Sequence, residues 1–261
     1  MEPMANIALR AARIAGKHIV RGFDRPDLID IETKGHNDFV TNIDRESEQI
    51  IIQTLREKYP DHKITGEESG SSDEEGADYE WVIDPLDGTT NFTRQLPHFC
   101  VSIACLFKGR VEHGVVVDPI REEEFVASRG QGARLNGKRI RVSGLENLDG
   151  ALVATGGRDR QLFSDEEAAV YKELLEAKVF TRQPGSAALE LCYIAAGRID
   201  AMWMRGLGRW DIAAGSLLLT EAGGLIGDFE GGAGHMQTGN TVAGSPRCFK
   251  QLSQIVRKHL A

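Results

Sequence analysis

Apolar positions near the N-terminus recur at helical spacing. Ile7, Ala11, Ile14 and Ala15 form one stripe, which predicts a helix from about Met4 to Val20. Lys34 to Phe39 is polar and contains a glycine, so it reads as a loop or loose hairpin. Thr41 followed three residues later by Asp44 is a helix-start signal. That helix should run to about Tyr59, with Ile43, Ile50, Ile51 and Leu55 on one face, and stop at Pro60. Ile64 and Thr65 enter a short strand that delivers Glu67 and Glu68. Gly70 to Ala77 is acidic and small and reads as a solvated loop. Trp81-Val82-Ile83 begins a buried strand that meets Asp84 and Pro85. A proline has no backbone donor and a fixed φ, so the strand should end there. Cys100 to Phe107 is apolar on both faces, as an interior strand is. Val111 to Asp118 and Glu124 to Ser128 continue a sheet, and Leu135-Asn136-Gly137-Lys138 is an Asn-Gly hairpin turn.

From Ala151 the pattern alternates between strand and helix. Ala151 to Thr155 is a strand, and Ser164 with Glu167 forms a capping box for a helix ending near Lys178. Strands follow at Val179 to Arg182 and Ile199 to Met204. Helices fill Ser186 to Ala196 and Asp211 to Ala222, each closed by a glycine. Short strands at Leu225 to Asp228 and Thr241 to Ala243 precede a last helix opened by Ser245 and Pro246. The one boundary this pattern offers lies near Asp149-Gly150. It divides residues 1–150, an α+β half, from residues 151–261, an α/β half, within one compact unit. The order suits a layered α/β (α+β) fold without fixing its topology.

Composition narrows the classes. A chain of 261 residues can bury a large core without staples. A net charge of −8 argues against a general nucleic-acid surface. Cys100, Cys105, Cys192 and Cys248 show no CxxC spacing, and the first two lie in an apolar run and read as core thiols. Arg10, Arg13 and Lys17 interrupt the N-terminal segment, so no signal peptide is expected there. No run approaches transmembrane length, and a cytoplasmic protein is the default expectation.

The chemistry concentrates in Trp81-Val82-Ile83-Asp84-Pro85-Leu86-Asp87-Gly88-Thr89-Thr90-Asn91-Phe92. A strand end feeds a helix start, with two carboxylates between. Carboxylates supply the oxygen ligands that Mg²⁺ takes. The first amides of the helix, at Gly88 and Thr89, are placed to receive a phosphate. Asp84 and Asp87 lie in this run, and three further acids that a family resemblance singles out, Asp44, Glu67 and Asp211, also stand at the starts or ends of expected elements. Phosphoester hydrolysis needs charge neutralised on both the attacking and the leaving oxygen, which two or three Mg²⁺ ions can do. Carboxylates gathered for that purpose repel one another, so the metal-free site should be loose or partly protonated. Read alone, Asp211 would be a helix N-cap. Glu68 and Asp38 read as supporting or surface acids, and Lys34 as a phosphate contact or a solvated lysine.

The central run, as it stands, resembles the metal-binding signature of the inositol monophosphatase family. The resemblance extends to Gly66-Glu67-Glu68-Ser69, to Gly185-Ser186-Ala187-Ala188 and to Trp210-Asp211 with Ala213, Ala214 and Gly215. It covers nearly the whole chain. It is strongest to the bacterial SuhB-type branch, through Lys34 to Asp44 and Leu96-Pro97-His98-Phe99. It implies an alternating αβαβα sandwich of the inositol monophosphatase and fructose bisphosphatase type. It also implies a Mg²⁺-dependent, lithium-sensitive phosphatase that hydrolyses inositol 1-phosphate and similar small phosphomonoesters by direct water attack.

Residue by residue, the resemblance makes Glu67, Asp84 and the Leu86 carbonyl ligands of a first Mg²⁺. Asp84, Asp87 and Asp211 become ligands of a second, and Glu67 of a weaker third. Thr89, with Asp44 behind it, orients the attacking water, and Glu67 joins them as catalytic. Asp87, Gly88 and Thr89 meet the substrate on the phosphate side, and Gly185, Ser186 and Ala187 on the inositol side. Family members usually carry a glutamate seven residues before the last aspartate. Met204 stands there, followed by Arg205. A thioether accepts hydrogen bonds only weakly, so specificity for myo-inositol is expected to differ. SuhB-type members are also associated with ribosomal RNA transcription antitermination through Nus factors and RNA polymerase. Arg129, Arg134, Lys138, Arg139 and Arg141 are one candidate surface for such partners, and Arg205 with Arg209 another. A run of charge is more often a solvated face. The resemblance further implies a homodimer. Bisphosphate nucleotidases and fructose bisphosphatases are a third reading, for which the chain is short.

Overall fold

The computed structural model of the chain describes residues 2–35, 38–72, 76–157 and 164–261. The first half holds α1 (Pro3–Phe23), β1 (Ile31–Gly35), β2 (Asp38–Thr41), α2 (Asn42–Arg56), β3 (Lys63–Gly66) and β4 (Gly70–Ser71). It continues with β5 (Tyr79–Asp87), α3 (Thr89–Thr93), β6 (Cys100–Phe107), β7 (Arg110–Asp118), β8 (Glu123–Ser128), β9 (Ala133–Leu135) and β10 (Lys138–Arg139). The second half holds β11 (Leu152–Gly157), α4 (Asp165–Glu176), β12 (Phe180–Arg182), α5 (Ala187–Ala195) and β13 (Ala201–Arg205). It ends with α6 (Arg209–Glu221), β14 (Leu225–Gly227), α7 (His235–Thr238), β15 (Thr241–Gly244) and α8 (Pro246–Leu260).

Two sheets alternate with three helical layers. The larger sheet has the order β10-β9-β8-β7-β6-β5-β3-β4 and is antiparallel except where β3 meets β5. The smaller has the order β12-β11-β13-β15-β14. Helices α1 and α2 cover one face of the larger sheet, and α5 and α6 lie between the two sheets. Helices α4 and α8 pack together, with α8 against the outer face of the smaller sheet. This is the αβαβα sandwich, and each of its four interfaces has its own apolar core. The larger sheet comes from residues before 150 and the smaller from residues after it. Helices α5 and α6, from the second half, bury the first half's sheet, so the halves share a core.

Several sequence expectations are met in detail. Thr41 and Asp44 form a capping box on α2, and Ser164 and Glu167 form one on α4. All four cysteines are buried and free. Others are corrected. Ile14 is 41% exposed and lies off the buried stripe of α1, which is built from Ala5, Ala8, Ala12, Ala15 and Ile19. Small side chains there let the helix sit close to α2 and the sheet. The strand at Trp81 does not end at Pro85 but runs on to Asp87. Its pairing with β6 slips by one residue between Asp84, opposite Ser102, and Asp87, opposite Cys100. Proline is tolerated at such a bulge because no ladder donor is needed there. The acidic residues 73–75 lie outside the described residues, and so do the side chains of Lys34 and Asp38.

Candidate active site

The bulge in β5 decides where two carboxylates point. Side chains alternate across a strand, so residues 84 and 87 would face opposite layers in a regular ladder. The one-residue slip restores them to the same face, toward α5 and α6. Asp211 arrives from α6. It is the third residue of that helix, not its cap as read from sequence; Gly208 is the cap, and its amide donates to Asp211 Oδ2 at 2.7 Å. Oxygens of Asp84, Asp87 and Asp211 all come within 4.8 Å of one another.

Burial pushes the Asp84 carboxyl well above its ordinary range, and the charges of Glu67, Asp87 and Asp211 push it further. Asp87 is raised in the same way, by burial and then by Asp211 and Glu190. The Ser186 hydroxyl at 2.7 Å and the Ala188 amide at 2.8 Å both donate to Asp87 Oδ2 and pull the other way. The Leu86 amide donates to Asp84 Oδ1 at 3.0 Å. The Glu67 amide donates to the Ile83 carbonyl at 3.1 Å, which sets Glu67 beside Asp84 just past the end of the parallel neighbour strand β3. Glu67 is near enough to act on Asp84 electrostatically but stands outside the three-carboxylate cluster.

These groups line a cavity of about 340 Å³. Of the sequence-derived site residues, Glu67, Asp84, Leu86, Asp87, Gly88, Thr89 and Asp211 line it from one side. Gly185, Ser186 and Ala187 line it as well. Gly88 has φ +99°, and a Cβ there would sit 2.9 Å from the His98 carbonyl oxygen, so only glycine makes this turn cheaply. Asp44 is absent from the lining and sits behind Thr89, whose hydroxyl donates to Asp44 Oδ1 at 2.9 Å. The Leu86 carbonyl, at 3.1 Å, is a second acceptor for the same hydroxyl. Burial raises Asp44 to about 6, against the lowering effect of its bonds from Thr41 and Thr89.

Met204 lines the cavity from β13 with its side chain packed in the core between the smaller sheet and α5 and α6. Beside it Arg205 pairs with Glu167 at 3.4 Å. Gln183 donates to the Tyr171 hydroxyl at 2.7 Å, which donates to Thr155 Oγ1 at 2.7 Å. Sequence reasoning missed this polar chain, because its members are scattered over β11, α4 and the segment after β12 with no motif between them. It also missed two buried glutamates. Glu48 on α2 accepts from the amides of Glu68 and Ser69 at 2.9 and 2.8 Å. Glu190 on α5 accepts from the Ser186 amide at 3.2 Å. The signal for Glu190 was a lone acid inside the apolar run Ala187 to Ala196.

Comparison with known proteins gives the family and the fold. The model of the inositol monophosphatase family matches residues 1–261. The Nus factor SuhB of Pseudomonas aeruginosa is 53% identical over 265 residues, covering 100% of this chain and 98% of that relative. Among solved structures, the extragenic suppressor protein suhB from Bartonella henselae superposes with a TM-score of 0.94 at 36% identity, over 98% of each chain. An inositol monophosphatase from Anabaena gives a TM-score of 0.86 at 34% identity, over 97% of this chain and 95% of that one.

Proposed function

The chain belongs to the inositol monophosphatase family, and from that premise we propose that it is a Mg²⁺-dependent phosphatase acting on inositol 1-phosphate and similar small phosphomonoesters. The observation that carries this reading is the meeting of Asp84, Asp87 and Asp211 oxygens within 4.8 Å. An all-carboxylate oxygen set suits a hard cation, and gathering like charges in a buried place is costly without one. In this reading Glu67, Asp84 and the Leu86 carbonyl hold one Mg²⁺. Asp84, Asp87 and Asp211 hold another, and Glu67 contributes to a weaker third. When bound, Mg²⁺ supplies Lewis acidity toward the attacking water and compensates charge on the leaving oxygen.

The chain's own groups do the rest. The Thr89 hydroxyl oxygen accepts a hydrogen bond from the attacking water while its own proton is directed at Asp44 Oδ1. As water attacks phosphorus and the bond to the alcohol oxygen breaks, the water's proton passes through Thr89 Oγ1 to Asp44, and the departing alkoxide takes a proton from solvent water and leaves as the alcohol. The Gly88 and Thr89 amides take phosphate oxygens at the start of α3. Gly185, Ser186 and Ala187 line the leaving-group side. Residues from both sides of position 150 are needed, so residues 1–150 and 151–261 work as one unit. The test is phosphate release with Mg²⁺ from inositol 1-phosphate and a panel of monoesters and bisphosphates, with and without lithium. Mg²⁺-dependent release that is lost in Asp84→Asn is expected. A folded protein that releases phosphate from none of them ends the reading.

A second role is favoured by the name Nus factor SuhB carried by the P. aeruginosa relative. In this role the chain, a cytoplasmic homodimer as the family likeness implies, binds Nus factors or RNA polymerase. Arg205 and Arg209 are tied to Glu167 and Glu80, and Arg129 is turned to the Val111 carbonyl. Arg134, Lys138 and Arg139 are exposed at the β9–β10 edge of the larger sheet and form the better surface. Reversing those three charges should abolish capture of Nus factors, whereas Asp84→Asn should spare it. Unchanged capture removes this surface.

A further inference from the structure

We propose that Glu190, supported by His98, is a positioning residue for Asp87: it takes the Ser186 amide and so leaves the Ser186 hydroxyl to hold Asp87 in its cation-binding pose. The inference rests on the reading of Asp87 as a Mg²⁺ ligand. Ser186 is the N-cap of α5, where a serine oxygen ordinarily accepts from amides two or three residues on. Here it makes no such bond. Its hydroxyl donates to Asp87 Oδ2 at 2.7 Å, and the Ala188 amide, which a capping serine would serve, donates to the same oxygen at 2.8 Å. Asp87 thus caps α5 from another element, and two short bonds to one oxygen fix the rotation of its carboxylate.

Glu190 completes the arrangement from within the helix. It is fully buried; its Oε1 accepts from the Ser186 amide at 3.2 Å and lies 3.3 Å from His98 Nε2. Its Oε2 is buried with no hydrogen-bond partner among the described residues. A buried carboxyl oxygen without a partner is costly. Stability alone therefore does not account for the acid. His98 is anchored in turn: Asn91 Nδ2 donates to its carbonyl at 2.8 Å and to the Pro184 carbonyl at 2.9 Å. That bond joins the segment after α3 to the turn that leads into Ser186.

The experiment is Mg²⁺ binding to the full chain by titration calorimetry, without substrate. Removing a group that orients a metal ligand costs roughly 10–100-fold in affinity, so Glu190→Ala should weaken binding by that order. Glu190→Gln keeps an acceptor for the Ser186 amide and should retain most of the affinity. In a Ser186→Ala background the loss from Glu190→Ala should shrink, since both act on Asp87 Oδ2. A folded Glu190→Ala with unchanged Mg²⁺ affinity overturns the proposal, whatever its melting temperature, and so do losses that add in full. Where Glu190→Ala does not fold, His98→Ala decides: weaker binding is expected, and unchanged binding overturns. Absence of binding by the wild-type chain would instead overturn the assignment of Asp87, and this inference with it.

Discussion

The Thr89 hydroxyl and the Asp44 carboxylate meet at 2.9 Å, although they stand 45 residues apart. Asp44 serves two elements at once. Its Oδ2 accepts from the Thr41 amide at 2.9 Å and closes the capping box of α2, while its Oδ1 takes the Thr89 proton. In the proposed mechanism the helix cap thus also fixes the base behind the attacking water. Thr89→Val should lower kcat by roughly 10²–10⁴-fold, the usual range for losing general-base assistance. KM should change little, and Thr89→Ser should recover most of the rate. Equal effects of Val and Ser would show that the hydroxyl is not the group in use.

The raised Asp44 carboxyl gives this arrangement a pH signature. As a base Asp44 must be ionised, so kcat should climb as pH rises and level off, with a midpoint no higher than the metal-free value of about 6, since bound Mg²⁺ favours the ionised carboxylate. Its effect on stability has the opposite slope. The folded state binds the proton more tightly than the unfolded chain does. The stability gained by protonation is therefore complete below the ordinary value of 3.8 and lost as pH rises to about 6. The size is about 3 kcal/mol, since each pKa unit is worth about 1.4 kcal/mol. The pH profile of kcat checks the first half, and urea unfolding in EDTA between these pH values, on wild type and Asp44→Asn, checks the second. Asp84 and Asp87 add slope of the same sign, so the variant should lose only the Asp44 share, and an undiminished slope would assign it to other groups.

The metal ligands should show a trade between stability and activity. Asp84 is buried beside Asp87, Asp211 and Glu67, all acidic. Asp84→Asn removes one charge from that group and should stabilise the metal-free chain by about 1–3 kcal/mol. The same variant should lose Mg²⁺-dependent activity and the rise in melting temperature that ligand binding produces. Thermal scans with EDTA and with Mg²⁺ separate the two effects. A variant less stable than wild type in EDTA would mean that the cluster is held by hydrogen bonds more than it is strained by charge.

Asp84 and Asp87 were legible as a pair because residue type and turn chemistry coincide at Asp84 to Thr89, whereas Asp211, read alone as a helix cap, joined them only through the family resemblance. The bulge that turns Asp84 and Asp87 to one face was not legible. Pro85 reads locally as a strand stop, and only the pairing partner shows that the strand continues. Ile14 was misplaced for a related reason. An alanine-built stripe offers little hydrophobic contrast, so the pattern points to the larger residue as the buried one. Glu48 lies among the polar residues Arg45, Glu46 and Gln49, which are exposed, and its burial follows from the turn at Glu68 folding back over α2.

Met204 sets up a test of substrate choice. Its side chain is 3% exposed and offers no strong acceptor to a polyol hydroxyl. Met204→Glu should raise kcat/KM for inositol 1-phosphate relative to glycerol 2-phosphate by roughly tenfold, the worth of one charge-assisted hydrogen bond. It should also cost about 1–3 kcal/mol of stability, because a carboxylate enters an apolar interface. An unchanged ratio from a folded variant would place substrate selection elsewhere in the cavity.

Gly66 and Glu48 form a coupled pair beneath Glu67. A Cβ on Gly66 would lie 2.4 Å from Glu48 Oε2, closer than any side chain tolerates. The Glu48 carboxylate in turn holds the amides of Glu68 and Ser69 at 2.9 and 2.8 Å, which shapes the turn that presents Glu67. Gly66→Ala must displace that carboxylate and should cost about 1–3 kcal/mol, as overpacking does. Glu48→Ala loses two bonds to a charged acceptor and should cost roughly 2–4 kcal/mol. The double variant should be less damaged than the two losses added, because the alanine at 48 vacates the space that a methyl group at 66 requires. Chemical denaturation of the four chains measures the coupling, and Mg²⁺ titration of each reports whether Glu67 has moved. Additive losses would mean that the two residues act independently, and that something other than Glu48 shapes the Glu67 turn.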